Sequence, residues 1–448
     1  MSSVSTKIYC ARWVLPVSAP PIDFGAVTVS GTRIIGIGSS ADVLARFPQS
    51  DVEDFGEALI LPGLVNTHTH LELTVMRGYL ENEDFFAWLR KLTVARLEKL
   101  TADDLRVSAT WGACEAVRAG ITCVGDASDS AMMSMLALKD VGLRGVVFQE
   151  SFGPDPRLVN DNFASLKAKV AELRSLETEL VRVGVSPHAP YTVCGPQLEL
   201  IAEFAGNEKL PLMMHAAESR DEELLVREGC GTFAERFVQR GIEWSTPRLS
   251  TIQYLKQRGI LDTQPLLAHC IRVDEADIET LRETRSKVAH CPKSNSKLSH
   301  GRAPFAKFLA AEIAVGFGSD SVGSNNTCDI LEEARFAVLL ARAGERDTLI
   351  TAADALRTAT LGGARCMDLD DQVGELREDM QADLAVLSLT GAHQIPNHDP
   401  AATAIFASSG RDVIRTVIAG REVYRDGRGV GVDEERLRAR MHEISEKL

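Results

Sequence analysis

Short apolar runs that stop at a polar or turn-forming residue recur through the middle of the chain, each followed by a stretch of mixed charge with helical spacing. Eight can be counted: "LILPGLVNTHTH", "ITCVGD", "RGVVFQE", "VRVGVSPH", "LPLMMHAAE", "PLLAHC", "SKVAHC" and "IAVGFGSD". Intervening segments such as "DDLRVSATWGACEAVRAG" and "NFASLKAKVAELRSLETEL" carry helical periodicity, as expected where strands alternate with helices. Eight such strand–helix units are what a (β/α)8 barrel requires.

The two ends read differently. "AVTVSGTRIIGIGSS" (Ala26–Ser40) alternates apolar and polar positions around Ser30-Gly31, which predicts a hairpin. "ADLAVLSL" (Ala382–Leu389) and "VIRTVIAGREVYRDG" (Val413–Gly427) repeat the pattern, again with a glycine turn. The expected fold is α/β: a TIM-type barrel over residues 61–372 and a small β-sandwich domain built from residues 1–60 and 373–430. Residues 431–448 are expected to form a solvated amphipathic helix. An insertion between the fifth and sixth runs, Ser219 to Thr263, should add helices above the barrel mouth.

A chain of 448 residues suits one large barrel plus a smaller unit. With 45% hydrophobic and 25% charged residues the composition is that of an ordinary folded protein. The net charge of −14 leaves no basic face for a phosphate backbone, so nucleic acid and anionic membrane are poor partners and a small molecule is the expected one. Nine scattered cysteines without a CxxC pair read as reduced thiols of a cytoplasmic protein. The N-terminal "MSSVSTKIYCARWVLPVSAPP" lacks a signal-peptide core, and no apolar stretch is long enough to span a membrane.

In a parallel barrel the catalytic residues lie at the C-terminal ends of the strands. Six of the ten histidines stand where a run stops: His68 and His70 at the first, His188 at the fourth, His215 at the fifth, His269 at the sixth and His290 at the seventh. Asp320 ends the eighth. Residues at i and i+2 of a strand face the same way, so His68 and His70 can converge on one ion. His215 and Asp320 can complete three imidazoles and a carboxylate, leaving one position open for water, as catalytic metal sites do. The donor set suits zinc or iron, and the sequence does not choose between them; the expectation is one divalent ion per chain, taken as zinc, with iron or manganese as alternatives. Glu218, three residues past His215, can serve as general acid/base. His269 can hydrogen-bond the attacking water or the developing oxygen, and Asp320 can shuttle a second proton while ligating the metal. The expected chemistry is hydrolytic attack on an electron-poor sp² carbon. Taken singly, a histidine at a strand end is more often structural; the ordered set is what points to a metal. His300, His393, His398 and His442 lack the strand-end context and read as surface or structural residues, and Cys270 and Cys291 as packing residues.

The motifs "PGLVNTHTH", "SPHAPYT", "HAAES", "AHC", "HCPKSNSKLSHGRAP", "GSDSVGSNN" and "GELREDMQADLAVL", covering almost the whole chain, resemble the metal-dependent amidohydrolase superfamily. The resemblance is to its cytosine deaminase-like branch, which includes S-adenosylhomocysteine and methylthioadenosine deaminases, aminodeoxyfutalosine deaminases and triazine hydrolases. It implies a mononuclear site of His68, His70, His215 and Asp320, with Glu218 and His269 catalytic. His188 stands where binuclear members carry a carboxylated lysine, which implies the one-metal subtype and a substrate contact. The resemblance also suggests a ribose contact at Glu81, against the alternative of a solvated acidic loop in "LENED". Arg77 either supports the loop or reaches the substrate. Glu72 in "HTHLEL" and Lys293 in "CPKSN" look closer to the aminodeoxyfutalosine group; Lys293 either pairs with a substrate carboxylate or is solvated.

The implied function is hydrolytic deamination of a purine-like ring in a 5′-modified adenosine, such as aminodeoxyfutalosine, 5′-deoxyadenosine, methylthioadenosine or S-adenosylhomocysteine, by a homo-oligomer (dimer or tetramer). One alternative keeps the mechanism for a free base, pterin or triazine, with chloride as a possible leaving group. Another, from a different class, is a non-catalytic scaffold that has lost its metal.

Overall fold

The computed structural model describes residues 6–344 and 349–448; residues 1–5 of the expected N-terminal segment lie outside it. Each of the eight apolar runs supplies one barrel strand: β1 (Leu64–Thr69), β2 (Ile121–Ser128), β3 (Arg144–Ser151), β4 (Val181–Pro187), β5 (Met213–Ala216), β6 (Leu266–His269), β7 (Lys287–His290) and β8 (Val315–Phe317). They pair in parallel as two ladders, β1 to β4 and β5 to β8. The bridges Val185↔Leu212 and Thr69↔Asp320 join the ladders at both seams and close the barrel. Every residue of β1, β2 and β3 is buried. Packed side chains fill one face and helices cover the other, which is why these runs show no alternation.

The first run contains two strands. Ala58–Pro62 belongs to the small β domain, past the expected boundary at residue 60, and β1 begins just beyond it. Gly63 makes the passage: a Cβ there would lie 2.0 Å from Oγ1 of Thr122, so no side chain fits the crossing.

The small domain is built from both chain ends, and its nine strands form one connected sheet. The N-terminal part supplies Thr6–Val14, Ile22–Ser30, Arg33–Ser39, Asp51–Asp54 and Ala58–Pro62; the C-terminal part supplies Leu384–Ser388, Val413–Ile418, Arg421–Arg425 and Arg428–Gly429. The two parts meet where Ala58–Pro62 pairs antiparallel with Leu384–Ser388. Both expected hairpins form. The second turns through Ala419 and Gly420, both at positive φ (47° and 74°), the left-handed turn that suits the twist of paired strands. Tyr9, Val27, Ile34, Ile60, Leu384 and Val417 belong to a hydrophobic cluster of this domain's own.

One buried ion pair ties the barrel to the sheet. Arg144, at the start of β3, grips Asp383 with two hydrogen bonds of 2.8 and 3.0 Å, and Asp383 also accepts the Ala419 N–H. The insertion after β5 forms the helices Arg220–Glu223, Thr232–Gln239 and Thr251–Gln257. The C-terminal helix Glu434–Ser445 is docked rather than free in solvent: Ile444 is fully buried, and Lys447 bonds Asp104 of the helix Ala102–Arg118 at 2.6 Å. Among the described residues no helix is long and apolar enough to cross a membrane.

Candidate active site

The backbone turns sharply where the strands end. Ala217, His269, Cys270 and Asp320 all sit at positive φ (52°, 75°, 46° and 56°), a region that residues with a Cβ rarely occupy and that concentrates at functional sites. These bends carry Glu218, His269 and Asp320 to the same end of the barrel as His68 and His70.

There Oδ1 of Asp320 lies 3.5 Å from Nε2 of His68 and 3.5 Å from Nε2 of His70. Nε2 of His70 and Nε2 of His215 are 3.3 Å apart. The far side of the His215 ring sets its tautomer. His215 donates from Nδ1 to the carbonyl of His188 (2.9 Å), so its Nε2 carries a lone pair directed at His70. Nε2 of His68 is buried and has no hydrogen-bond partner among the described residues. Lone pairs and a carboxylate that converge in this way repel one another unless a cation sits among them, so the residues present fit a divalent metal.

The electrostatics agree. Burial, with His68 beside it, lowers His70 to about 3, and burial holds His215 well below the usual range, so both are neutral, the form that binds metal. Burial acts against the charge on Asp320, but His68 and the other histidines around it keep this carboxyl well below its ordinary range. Ser294 and Ser324 donate to its other oxygen at 2.5 and 2.8 Å, fixing its orientation.

Glu218 faces the cluster. Its Oε1 lies 3.6 Å from Nε2 of His269 and 3.6 Å from Nε2 of His300, and Oε2 accepts the Tyr191 hydroxyl at 3.3 Å. Glu222 anchors the turn beneath it by accepting the N–H groups of Ala217 and Glu218 at 2.7 and 3.0 Å. His269 meets Oδ1 of Asn295 through Nδ1 at 2.8 Å; burial opposes its protonation, yet Glu218 and Asp320 raise its pKa above the ordinary value. His188 bonds Thr192 through Nδ1 at 2.9 Å, with Nε2 3.9 Å from Oε1 of Glu150.

A cavity of about 700 Å³ opens above these groups, of the size that holds a small molecule. His70, His215, Glu218, His269 and Asp320 line its floor, and Phe85, Trp88, Phe152 and Phe233 its wall.

Seven of the predicted residues therefore meet at one place: His68, His70, His188, His215, Glu218, His269 and Asp320. The other three lie outside this group. Arg77 pairs with Glu115, and Lys293 bonds Glu332 and Thr327, each at 2.7 Å. The Glu81 carboxylate is engaged by Lys297 (2.7 Å) and Asn326 (2.8 Å). His290, although at a strand end, packs against Phe305 and Phe317.

The sequence reading misses others. His300 reads there as surface or structural, yet its side chain is only 6% exposed and faces Glu218. It follows no apolar run, and no local signal marks it. Glu150 ends the third run and lines the cavity, so the strand-end rule that picks out the histidines would also find it. Asn295, which has the character of a loop-holding residue, orients His269.

A parallel barrel with a histidine–carboxylate cluster at the C-terminal ends of its strands defines a barrel hydrolase with a metal-ligating site. The chain belongs to the amidohydrolase family, whose model matches residues 59–423, and is a hydrolase acting on carbon–nitrogen bonds. It is similar to proteins named 5-methylthioadenosine/S-adenosylhomocysteine deaminase from Pelotomaculum thermopropionicum (32% identity, covering 93% of this chain and 92% of that one) and Symbiobacterium thermophilum (32%, 97% and 97%). Among solved structures it resembles an adenosine deaminase from Xanthomonas campestris with bound zinc (26% identity, TM-score 0.87, covering 99% and 98%). It also shares the fold of an atrazine chlorohydrolase from Arthrobacter aurescens complexed with zinc (23%, TM-score 0.84, 98% and 100%).

Proposed function

We propose that this chain is a one-metal hydrolytic deaminase that removes the exocyclic amine from the purine ring of a 5′-modified adenosine. The observation that carries the reading is the position of Glu218, 3.6 Å from both His269 and His300 beside the metal-ligating cluster.

His68, His70, His215 and Asp320 would hold the ion; imidazole and carboxylate donors suit zinc or iron, and the zinc bound in the similar adenosine deaminase favours zinc. When bound, it supplies a Lewis acid that makes water a nucleophile near neutral pH. Glu218 takes a proton from the attacking water at Oε1 and passes it to the ring nitrogen beside the carbon under attack. His269, whose Nδ1 proton is committed to Asn295, presents a second N–H from Nε2 when protonated and stabilises the negative charge that develops on the incoming oxygen. Asp320 relays the second proton to the amine, the carbon–nitrogen bond breaks, and ammonia and an inosine-like product leave.

The names of the relatives support the substrate class, and the cavity is large enough for a nucleoside with a 5′ extension. His188 and Phe152, with rings 4.7 Å apart, form a surface on which the purine can lie. The test is ammonia release by zinc-loaded protein from adenosine, 5′-deoxyadenosine, methylthioadenosine, S-adenosylhomocysteine, aminodeoxyfutalosine, guanine, cytosine, a pterin and a triazine. The 5′-modified adenosines are expected to react fastest. Turnover confined to free bases, pterins or triazines would overturn the substrate class.

A further inference from the structure

The charges lining the cavity are sorted by depth. Its carboxylates, Glu72, Glu150, Glu218 and Asp320, are all buried. Its cations are Arg90, Arg96, Arg236 and Arg240. Arg96 is neutralised where it stands, 3.0 Å from Asp129 and 3.8 Å from Glu72. The other three have no ion-pair partner among the described residues. Asp155, whose carboxyl also feels Arg240, is engaged by Arg157 at 2.6 Å, and Glu83 by Lys91 at 3.5 Å.

The three free guanidinium groups come from two helices that frame the opening. Arg90 lies on the helix Phe85–Val94; Arg236 and Arg240, four residues apart at the end of Thr232–Gln239, share a face. A continuous line of contacts connects this rim to the floor. Tyr191, bonded to Glu218, stacks on Phe233 at 4.2 Å; Phe233 meets Phe86 at 5.1 Å; and Arg236 lies over Phe86 at 4.6 Å. In a chain with a net charge of −14, three unneutralised arginines at the open end of a cavity with an acidic floor impose a direction on whatever enters.

We propose that Arg90, Arg236 and Arg240 form an anion subsite that selects substrates whose 5′ substituent ends in a carboxylate or a phosphate. The proposal rests on the deaminase reading of the floor. It gives the substrate its orientation: amine end among the carboxylates, anionic end between the two helices. Planar guanidinium groups bind either oxyanion through paired N–H donors.

Two probes differing in one charge test it: 5′-S-(2-carboxyethyl)-5′-thioadenosine and its methyl ester, with adenosine 5′-phosphate as a third arm. Calorimetric binding to the wild-type protein and to the double variant Arg236→Gln/Arg240→Gln needs no turnover, so it separates failure of the subsite from failure of the deaminase reading. The acid is expected to bind the wild type about 10-fold more tightly than the ester, with the preference lost in the variant and reduced by salt. A stronger response to adenosine 5′-phosphate than to the carboxylate, abolished by the same substitutions, assigns the subsite to phosphate. Equal affinity for acid and ester, or equal weakening of both in the variant, overturns the proposal. In steady state, the variant should raise KM for the acid and leave kcat and the ester's parameters within about 2-fold.

Discussion

Oε1 of Glu218 stands 3.6 Å from Nε2 of His269, each held from behind, the glutamate by the turn that Glu222 anchors and the histidine by Asn295. That pairing puts a proton acceptor and a proton donor on one side of the cluster formed by His68, His70, His215 and Asp320. It accounts for the placement of the two residues at the ends of consecutive barrel strands rather than on flexible loops, since proton transfer depends on fixed separation.

Glu218→Gln keeps the shape and removes the proton acceptor. Turnover should fall by about 10²–10⁴-fold while metal content stays at the wild-type level. Undiminished ammonia release by the variant would remove Glu218 from its role.

His300 shares the Glu218 carboxylate with His269 and packs edge-on against Phe85, with rings 4.6 Å apart. We expect His300→Gln to lower kcat about 10-fold or more, within the range of a lost proton-transfer or charge-stabilising partner, with metal content unchanged. A variant with normal kcat and only a lowered melting temperature would make His300 purely structural.

The strand ends are legible in the sequence because a parallel barrel confines its chemistry to them, and imidazoles placed there in order can reach one ion near the barrel axis. His300 is not legible: it lies in the loop after the short helix Pro292–Lys297, where nothing in the local pattern indicates burial. The ion pairs of Arg77 and Lys293 are not legible for a different reason. Their partners, Glu115 and Glu332, stand 38 and 39 residues away in sequence, and only the folded chain brings them together. The run "LILPGLVNTHTH" reads as one strand because both of its halves are wholly buried, although in different domains.

The Arg144–Asp383 pair is buried on both sides, and removing one partner leaves an uncompensated charge. Asp383→Ala should destabilise the protein by about 3–5 kcal/mol, read by urea unfolding. A loss below about 1 kcal/mol would mean that the sheet and barrel are held by apolar contact alone.

Burial raises the Glu333 carboxyl to about 8. A group whose pKa is higher folded than unfolded binds extra protons in the folded state, so its contribution is present below its ordinary value of 4.5 and is lost as pH rises through about 8. Melting temperature should therefore fall between about pH 5 and pH 8.5, and Glu333→Gln should flatten that slope. An identical slope in both proteins would assign the pH dependence to other groups.

The central claim is that three imidazoles and one carboxylate hold a single ion beside Glu218, and metal analysis of the purified protein tests it most directly. After supplementation and desalting, the wild type and Glu218→Gln should each retain about one equivalent of zinc per chain, and His215→Ala should retain well under half. Two equivalents per chain in the wild type, none at all, or full retention by His215→Ala would contradict it.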